Sequence, residues 1–453
     1  MIGYLTKDKK TFFLFVFHVL LGIVSAISKF PLIIYVYYVL LSSLPGLLRL
    51  KGDYFRLNIL IAYVVPLEIL SRMTETSPFI PYEFSKYLMF LLLLYGILKG
   101  SNRGKIGFVL LSLLLPALFF DLSGEVTFKG LVFNVLAPIN LCLGVIYFYK
   151  NAISSFQLYF LMRAILFPLI SALFFVFFKT PNYDTIEFAL GAIHDTTGGF
   201  GPNQVATIFG LGLFLMFFLI NKGVSISGNK LIDIGILFLF VFQGLLSFSR
   251  GGMIGGFLAI IGYYVFSSNT KVTNKISLKY VFPILVIMLG SFWIANEITN
   301  GQLALRYLGE TAGTQLGSKE KDLNTLTTGR ASIFEADWDL FQENHFGVGA
   351  GASSFLRNSE RGVLTHTELS RLLAEHGYLG IFFFLIISIL PFIYFRNNYS
   401  REFKGFMIAL YFLAWYTSFH AATRNFVTPL LIGMALMHIN PDKLSAAHKK
   451  IAA

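Results

Sequence analysis

The sequence predicts an all-α polytopic integral membrane helical bundle of about twelve to fourteen transmembrane helices with one long external helical loop. Three observations predict it. Of 453 residues, 55% are hydrophobic and 13% are charged, against roughly 25% charged in a soluble domain, so the chain cannot wet its whole surface. Apolar runs of bilayer-spanning length recur from end to end. Lys and Arg alternate between the segments on the two sides of those runs.

The runs lie near residues 12–28, 32–48, 57–71, 84–98, 106–121, 131–149, 156–178, 204–220, 231–247, 252–267, 279–295, 379–395, 403–419 and 425–438. Those at 57–71, 84–98 and 425–438 are short enough for a tilted or re-entrant segment, hence the range in the count. The first run follows Lys7, Lys9 and Lys10 and carries the small residues Ala26 and Ser28, as a cleaved signal would. Many similar runs come after it, and a retained first span is the expectation. With the N-terminus inside, segments 1–11, 49–56, 99–105, 150–155, 221–230, 268–279, 396–404 and 439–453 are cytoplasmic and hold 21 of the 36 Lys and Arg. The short external loops hold Lys29, Arg72, Lys86, Lys129, Lys179, Arg250 and Arg424. The net charge of +12 is therefore mostly a topology signal and an attraction to anionic membrane lipid. It does not imply nucleic acid. Cys142 is the single cysteine and excludes an intramolecular disulfide.

Three regions follow: an N-terminal transmembrane bundle at 1–295, a large external loop at 296–378, and C-terminal transmembrane helices at 379–453. A second external segment, 179–203, is shorter. The loop at 296–378 is too long to be a mere connection and too apolar for disorder, so it should pack over the external mouth of the bundle. Within it, GRASIFEADWDLFQEN (329–344) spaces Ile333, Phe334, Trp338 and Phe341 as an apolar helical stripe. THTELSRLLAEHGYLG (365–380) sets two histidines, two glutamates and an arginine in helical register just before an apolar run.

Several stretches together carry a family resemblance. SFSRGG (247–252) falls at the external end of a helical hairpin, GPNQVA (201–206) opens a span, and SFHAATRN (418–425) lies near the end. The long loop adds GRASIFEADWDLF (329–341), FGVGAG (346–351) and HTELSRLLAEHGYLG (366–380). With these the chain resembles the O-antigen ligase and polymerase superfamily of multi-span glycosyltransferases, over roughly residues 200 to 425. The first two hundred residues match less well, apart from PLEILSRM (66–73) and PYEFSKY (81–87). The resemblance implies a glycan donor linked to undecaprenyl diphosphate, a lipid A–core or other glycan acceptor, and an active site on the periplasmic face of the bacterial inner membrane. It implies no metal, no cofactor and no nucleotide. Ligation onto lipid A–core is the reading taken; polymerisation of repeat units or glycosylation of protein on the same carrier is the sister chemistry. A lipid-glycan transporter is the reading from another class, but its ionisable residues would gather at the membrane midplane and its halves would repeat.

Such a transfer needs a base for the acceptor hydroxyl and fixed positive charge on the leaving diphosphate. Thr365 and Glu368 have capping-box spacing, so the helix is expected to start at His366 with Glu368 as a cap. His366 would sit at the positive helix end, held neutral, as the catalytic base. Arg250, between two apolar runs with hardly any loop, is expensive in a membrane and its planar fork suits a diphosphate. Arg330, behind Gly329 at a helix start, opposes the helix dipole and is the third catalytic candidate. Glu368, Arg371 and Glu375 share one helix face; the plain reading is a solvated ion-pair ladder, the functional one puts Glu368 and Arg371 in substrate binding. Arg72, Asn203, His420 and Arg424 are further substrate-binding candidates at external span ends. His376 precedes Gly377, which reads as a helix C-cap. GVGAGA (347–352) mimics a dinucleotide loop but lacks the strand-turn-helix context and reads as a close backbone turn. No Cys/His cluster suggests a metal. His18, alone in the first run, reads as a hydrogen-bonded core residue.

Overall fold

The structure, a computed structural model, describes residues 8–49, 54–100, 104–267, 278–363, 365–395 and 401–440. It is mostly helical. In chain order the helices are α1 (Asp8–Ile27), α2 (Phe30–Leu48), α3 (Phe55–Val64), α4 (Glu68–Met73), α5 (Phe84–Leu98), α6 (Lys105–Leu114), α7 (Phe128–Phe148), α8 (Ser155–Lys179) and α9 (Pro202–Asn221). There follow α10 (Lys230–Leu246), α11 (Arg250–Ser267), α12 (Leu278–Ile298), α13 (Gln302–Tyr307), α14 (Leu323–Thr327), α15 (Arg330–Glu343), α16 (Glu368–Tyr394), α17 (Arg401–Thr417) and α18 (Val427–Met434). A two-stranded parallel ribbon pairs Ala152–Ser154 (β1) with His438–Asn440 (β2).

Each of the fourteen apolar runs is helical over at least part of its length. Six of the described helices are long and apolar enough to cross a membrane: α1 from Lys10, α2, α7, α8, α9 and α16. Several of the others are shorter for a visible reason. Pro66 turns the run at 57–71 into α3, a 3₁₀ turn and α4, and Pro116 ends α6 in a 3₁₀ turn. Proline lacks the N–H and clashes with the preceding turn.

The centre is α8, which starts at a capping box between Ser154 and Gln157 and is apolar almost all round. A helix buried on every face shows no amphipathic stripe. It packs against α1, α3 and α9. His18 of α1 is fully buried against it. Its Nδ1 meets Ser171 Oγ at 2.7 Å and its Nε2 meets Tyr63 OH at 2.6 Å. The Ser171 hydroxyl donates to the His18 carbonyl at 2.9 Å, so Nδ1–H must be the donor to Oγ and Tyr63 donates to Nε2. Tyr63 in turn is hydrogen-bonded to Tyr35 of α2. His18 is thus the hydrogen-bonded core residue expected.

One close helix pair sets up the end of the assembly that carries the candidate residues. A Cβ on Gly210 of α9 would lie 2.0 Å from the Gly252 carbonyl oxygen, and one on Gly252 would lie 2.2 Å from the Ala206 carbonyl carbon. Such contacts need glycine; they let two backbones touch, as at small-residue helix interfaces in lipid. The pair brings the start of α9, with Asn203, beside the start of α11, with Arg250. α17 packs along the other side of α11, and the ring of His420 lies against Gly251.

Over this end lies the external segment, where α15 packs on α16. The apolar stripe expected on α15 is only half right. Ile333 and Phe341 are buried, but Phe334 and Trp338 are 38% and 43% exposed; the buried face is completed by Ala336, Asp337 and Leu340. Asp337 turns inward because Arg357 meets it, Nε to Oδ1 at 2.7 Å, with both side chains fully buried. The glycine turn at 346–351 passes close to neighbouring backbone, as read from sequence. Gly347 and Gly349 have φ of 88° and 100°, and a Cβ there would strike Glu375 O at 2.4 Å and Phe120 O at 2.2 Å.

Candidate functional site

The THTELSRLLAEHGYLG stretch folds differently from its capping-box reading. α16 starts at Glu368, not at His366, and its N-cap Thr367 makes no side-chain capping bond. Thr365 is drawn away because its hydroxyl accepts from Arg357. Arg357 Nη1 also donates to the Val363 carbonyl at 2.6 Å. The buried Asp337–Arg357 pair therefore anchors Val363 and Thr365, just ahead of His366. Gly377 is not a C-cap either. Its φ of 58° kinks α16, which continues on both sides of it. A Cβ at this kink would lie 2.1 Å from the His345 carbonyl oxygen, so the close approach of that backbone also requires glycine.

Glu368, Arg371 and Glu375 do share a face, but the ladder is buried rather than solvated. Arg371 pairs with Glu368, and its Nη1 lies 3.0 Å from Glu375 Oε2. Thr423 donates to Glu368 at 3.2 Å and Ser353 to Glu375 at 3.1 Å. With two carboxylates around one guanidinium, Glu368 and Arg371 are spoken for; they brace the start of α16 instead of offering charge to a ligand. Arg72 is likewise neutralised, at 2.7 Å from Glu68 and 2.8 Å from Glu83. It supports the site from behind, donating to the Arg424 carbonyl at 3.1 Å and to Gln204 at 3.0 Å. Arg72, Glu368 and Arg371, expected in substrate binding, are thus each held in ion pairs within the fold.

The remaining candidates converge. Arg424 Nη2 donates to the Thr365 carbonyl at 2.6 Å, and its Nη1 lies 3.4 Å from His366 Nδ1. Arg330 donates to the Thr327 carbonyl and the Thr328 hydroxyl at 2.8 and 2.7 Å, and to the His420 carbonyl at 3.4 Å. Arg250 donates to the Leu326 carbonyl at 2.7 Å, which ties α11 to α14. His420 Nε2 meets Thr207 Oγ1 at 3.1 Å, and Asn203 Oδ1 accepts from Ser249 at 2.7 Å. Asn203 and His420 thus sit in the wall that fixes the α9, α11 and α17 ends, while Arg330 lies near both Arg250 and the Arg424–His366 pair.

Sequence reading missed a fifth member. Arg306 of α13 is buried, donating to the Leu190 carbonyl at 3.1 Å and to the Phe248 carbonyl at 3.4 Å. It feels both Arg250 and Arg330, which with burial lower its pKa to about 10. In the sequence it looks like a basic residue in the last turn of a short helix, an ordinary dipole partner, so nothing marked it.

No carboxylate among the described residues pairs with Arg250, Arg306, Arg330 or Arg424. Their partners are carbonyls, a hydroxyl and the His366 imidazole, and the buried Arg330 Nε has none. Burial, then the charge of Arg250, lowers the pKa of Arg330; burial, then Arg371 and Arg330 against the opposing pull of Glu368, lowers that of Arg424 to about 10. A cluster of partly buried guanidiniums that repel one another is costly unless an anion completes it. The planar forks suit phosphate oxygens.

His366 lies at the edge of this cluster. Burial, then Arg424, then Arg330 lower its pKa to about 4, so the imidazole is neutral near pH 7. The helix end expected to do this is not the cause, since His366 precedes the helix. Arg424 can only donate, so Nδ1 is the acceptor and the neutral ring carries its proton on Nε2. The lone pair that a base needs is therefore capped by Arg424, through a contact well beyond the usual charge-assisted distance of about 2.7–2.9 Å. Displacing such a contact is cheap. Among the described residues no group of three His, Cys, Asp or Glu has metal-binding geometry. The chain matches no known protein family and no curated protein.

Proposed function

We propose that this chain is an integral membrane glycosyltransferase that moves a glycan from a polyprenyl diphosphate onto a hydroxyl acceptor. The reading is O-antigen ligase-like, with undecaprenyl diphosphate as carrier, lipid A–core as acceptor, and a site facing the periplasm of a bacterial inner membrane. One observation carries it: four arginines without carboxylate partners among the described residues gather, with a neutral histidine at their edge, at one end of a helical assembly with six bilayer-length apolar helices. That charge fits a membrane-anchored diphosphate better than a neutral substrate. The chain's resemblance to the superfamily, carried by SFSRGG, GRASIFEADWDLF and HTELSRLLAEHGYLG, supports the same chemistry.

In this mechanism the diphosphate takes the forks of Arg250, Arg306, Arg330 and Arg424. Arg424 turns from Nδ1 of His366 toward a phosphate oxygen, and the freed lone pair faces the acceptor. The acceptor oxygen then bonds to the anomeric carbon as the carbon–oxygen bond to the diphosphate breaks. The leaving diphosphate keeps the electron pair, held by the guanidiniums, and His366 takes the acceptor's proton. The added anionic charge also lifts the imidazole pKa back from about 4, toward the range where a base works best.

The test is the glycan profile of a strain lacking the protein. Loss of long chains from lipid A–core, with long chains accumulating on the carrier, is expected. Core bearing a single repeat unit assigns polymerisation instead, and an unchanged profile rejects the reading.

A further inference from the structure

A sizeable cavity lies away from the arginine cluster. It measures about 770 Å³ and is enclosed by α1, α2 and α3, with Phe13, Phe17, Tyr38, Val39, Leu47 and Ile59 on its walls. Its lining comes from the first half of α1, the second half of α2 and the start of α3. These are the ends that share one side, so the cavity occupies one half of the layer. That is the side the Lys and Arg pattern places in the cytoplasm.

Its two ends differ in chemistry. Tyr35 closes the deep end. The chain of hydrogen bonds runs one way, from Tyr35 through Tyr63 to His18 and Ser171, which spends the Tyr35 proton inward and seals that end of the pocket. Arg56 stands at the other end, exposed and with no acidic partner among the described residues. The sequence sets Lys7, Lys9, Lys10, Arg49, Lys51 and Arg56 against only Asp8 and Asp53 in the two segments at that end. A Cβ on Gly46 would meet nothing closer than Arg56 Nη1 at 3.8 Å, so the middle of the cavity is open space beside that residue. Cavities that hold small ligands run from about 300 to 1,000 Å³.

We propose that this groove binds one anionic glycerophospholipid of the cytoplasmic leaflet, an acyl chain between α1 and α2 and the phosphate at Arg56. Ser42 and Ser43 also line the groove but spend their hydroxyls on the Val39 carbonyl. With Phe13, Phe17, Leu47 and Ile59 the walls therefore suit a lipid tail, and the excess of cations at the mouth selects an anionic headgroup over a zwitterionic one. α1 and α2 present much of their apolar surface outward, so the tail enters sideways from the bilayer. The site does not depend on the transferase reading and sits away from the residues assigned to it.

The test is native mass spectrometry of the full-length protein in detergent, titrated with phosphatidylglycerol or phosphatidylcholine. One phosphatidylglycerol should bind per chain, with phosphatidylcholine weaker. Arg56→Ala should cut that preference by about fivefold, the effect of one cation near an anionic lipid surface. Gly46→Leu fills the groove without touching backbone and should abolish the retained lipid while leaving the thermal transition and glycan transfer in place. Equal lipid retention by Gly46→Leu overturns the site. Preferential uptake of a polyprenyl phosphate over phosphatidylglycerol overturns the assigned occupant.

Discussion

Arg424 is the residue whose removal tests the candidate site most directly, because its effect is read in pH and not only in rate. Its guanidinium lies 3.4 Å from Nδ1 of His366 and ranks after burial among the causes that hold the imidazole at about 4. At an effective dielectric of about 20 a charge at that distance is worth roughly 5 kcal/mol, and at 80 about 1 kcal/mol. The whole drop from 6.5 corresponds to about 3 kcal/mol. Since burial takes the larger share, the water-like value is the consistent one, and Arg424 accounts for about one pH unit. In the proposed mechanism the active imidazole is the neutral one. Activity is therefore present above the His366 pKa and lost as pH falls through it. Arg424→Gln raises that pKa, so the acid limb of kcat/KM for glycan transfer should move up by about one pH unit, whatever happens to its height. Transfer to a soluble core oligosaccharide, followed from about pH 3.5 to 8 in purified protein, measures it. An acid limb that stays in place or moves down refutes the argument, because the titrating group would then not be the imidazole beside Arg424.

Other outcomes follow from the same geometry. His366→Ala should lower transfer by about 10²–10⁴-fold with normal accumulation in the membrane, while the exposed His194→Ala keeps its activity; His376 is too deeply buried to serve as the neutral comparison. Arg250→Lys keeps the charge and loses the fork, so transfer should stay strongly impaired; near-normal transfer would reduce Arg250 to a generic lipid-phosphate contact. Arg357→Ala strands Asp337, which is 0% exposed, and should cost about 3–5 kcal/mol, read as a lowered thermal transition. A reporter fused after residue 320 should be external and one after residue 400 cytoplasmic; a cytoplasmic result at 320 overturns the placement of the site.

What could be read from sequence divides along a physical line. The apolar runs were legible because burial in a helical assembly leaves a mark on composition, and each run is helical over at least part of its length. Arg250 and Arg330 were legible because each sits where a lone cation is costly, at a helix start beside apolar sequence. The capping box was not, although Thr365 and Glu368 have its spacing, because tertiary partners won. Arg357 took the Thr365 hydroxyl and Arg371 took the Glu368 carboxylate. The same competition sorts the candidate cations. From sequence, Arg72, Arg371 and Arg424 are alike, arginines at the external ends of apolar runs. The fold gives Arg72 the carboxylates of Glu68 and Glu83, and gives Arg371 those of Glu368 and Glu375. Arg424 receives only a carbonyl and an imidazole. The Glu368–Arg371–Glu375 ladder is legible in its i,i+3 and i,i+4 spacing, and Glu68, one helical turn before Arg72, carries the same signal. Arg306 is the opposite case. Its isolation arises only when α13 folds against the loop at Leu190 and the turn at Phe248, both far away in the chain. Which guanidiniums remain without a carboxylate is set by how these distant segments assemble, and in the proposed function that remainder is the charge available to a diphosphate.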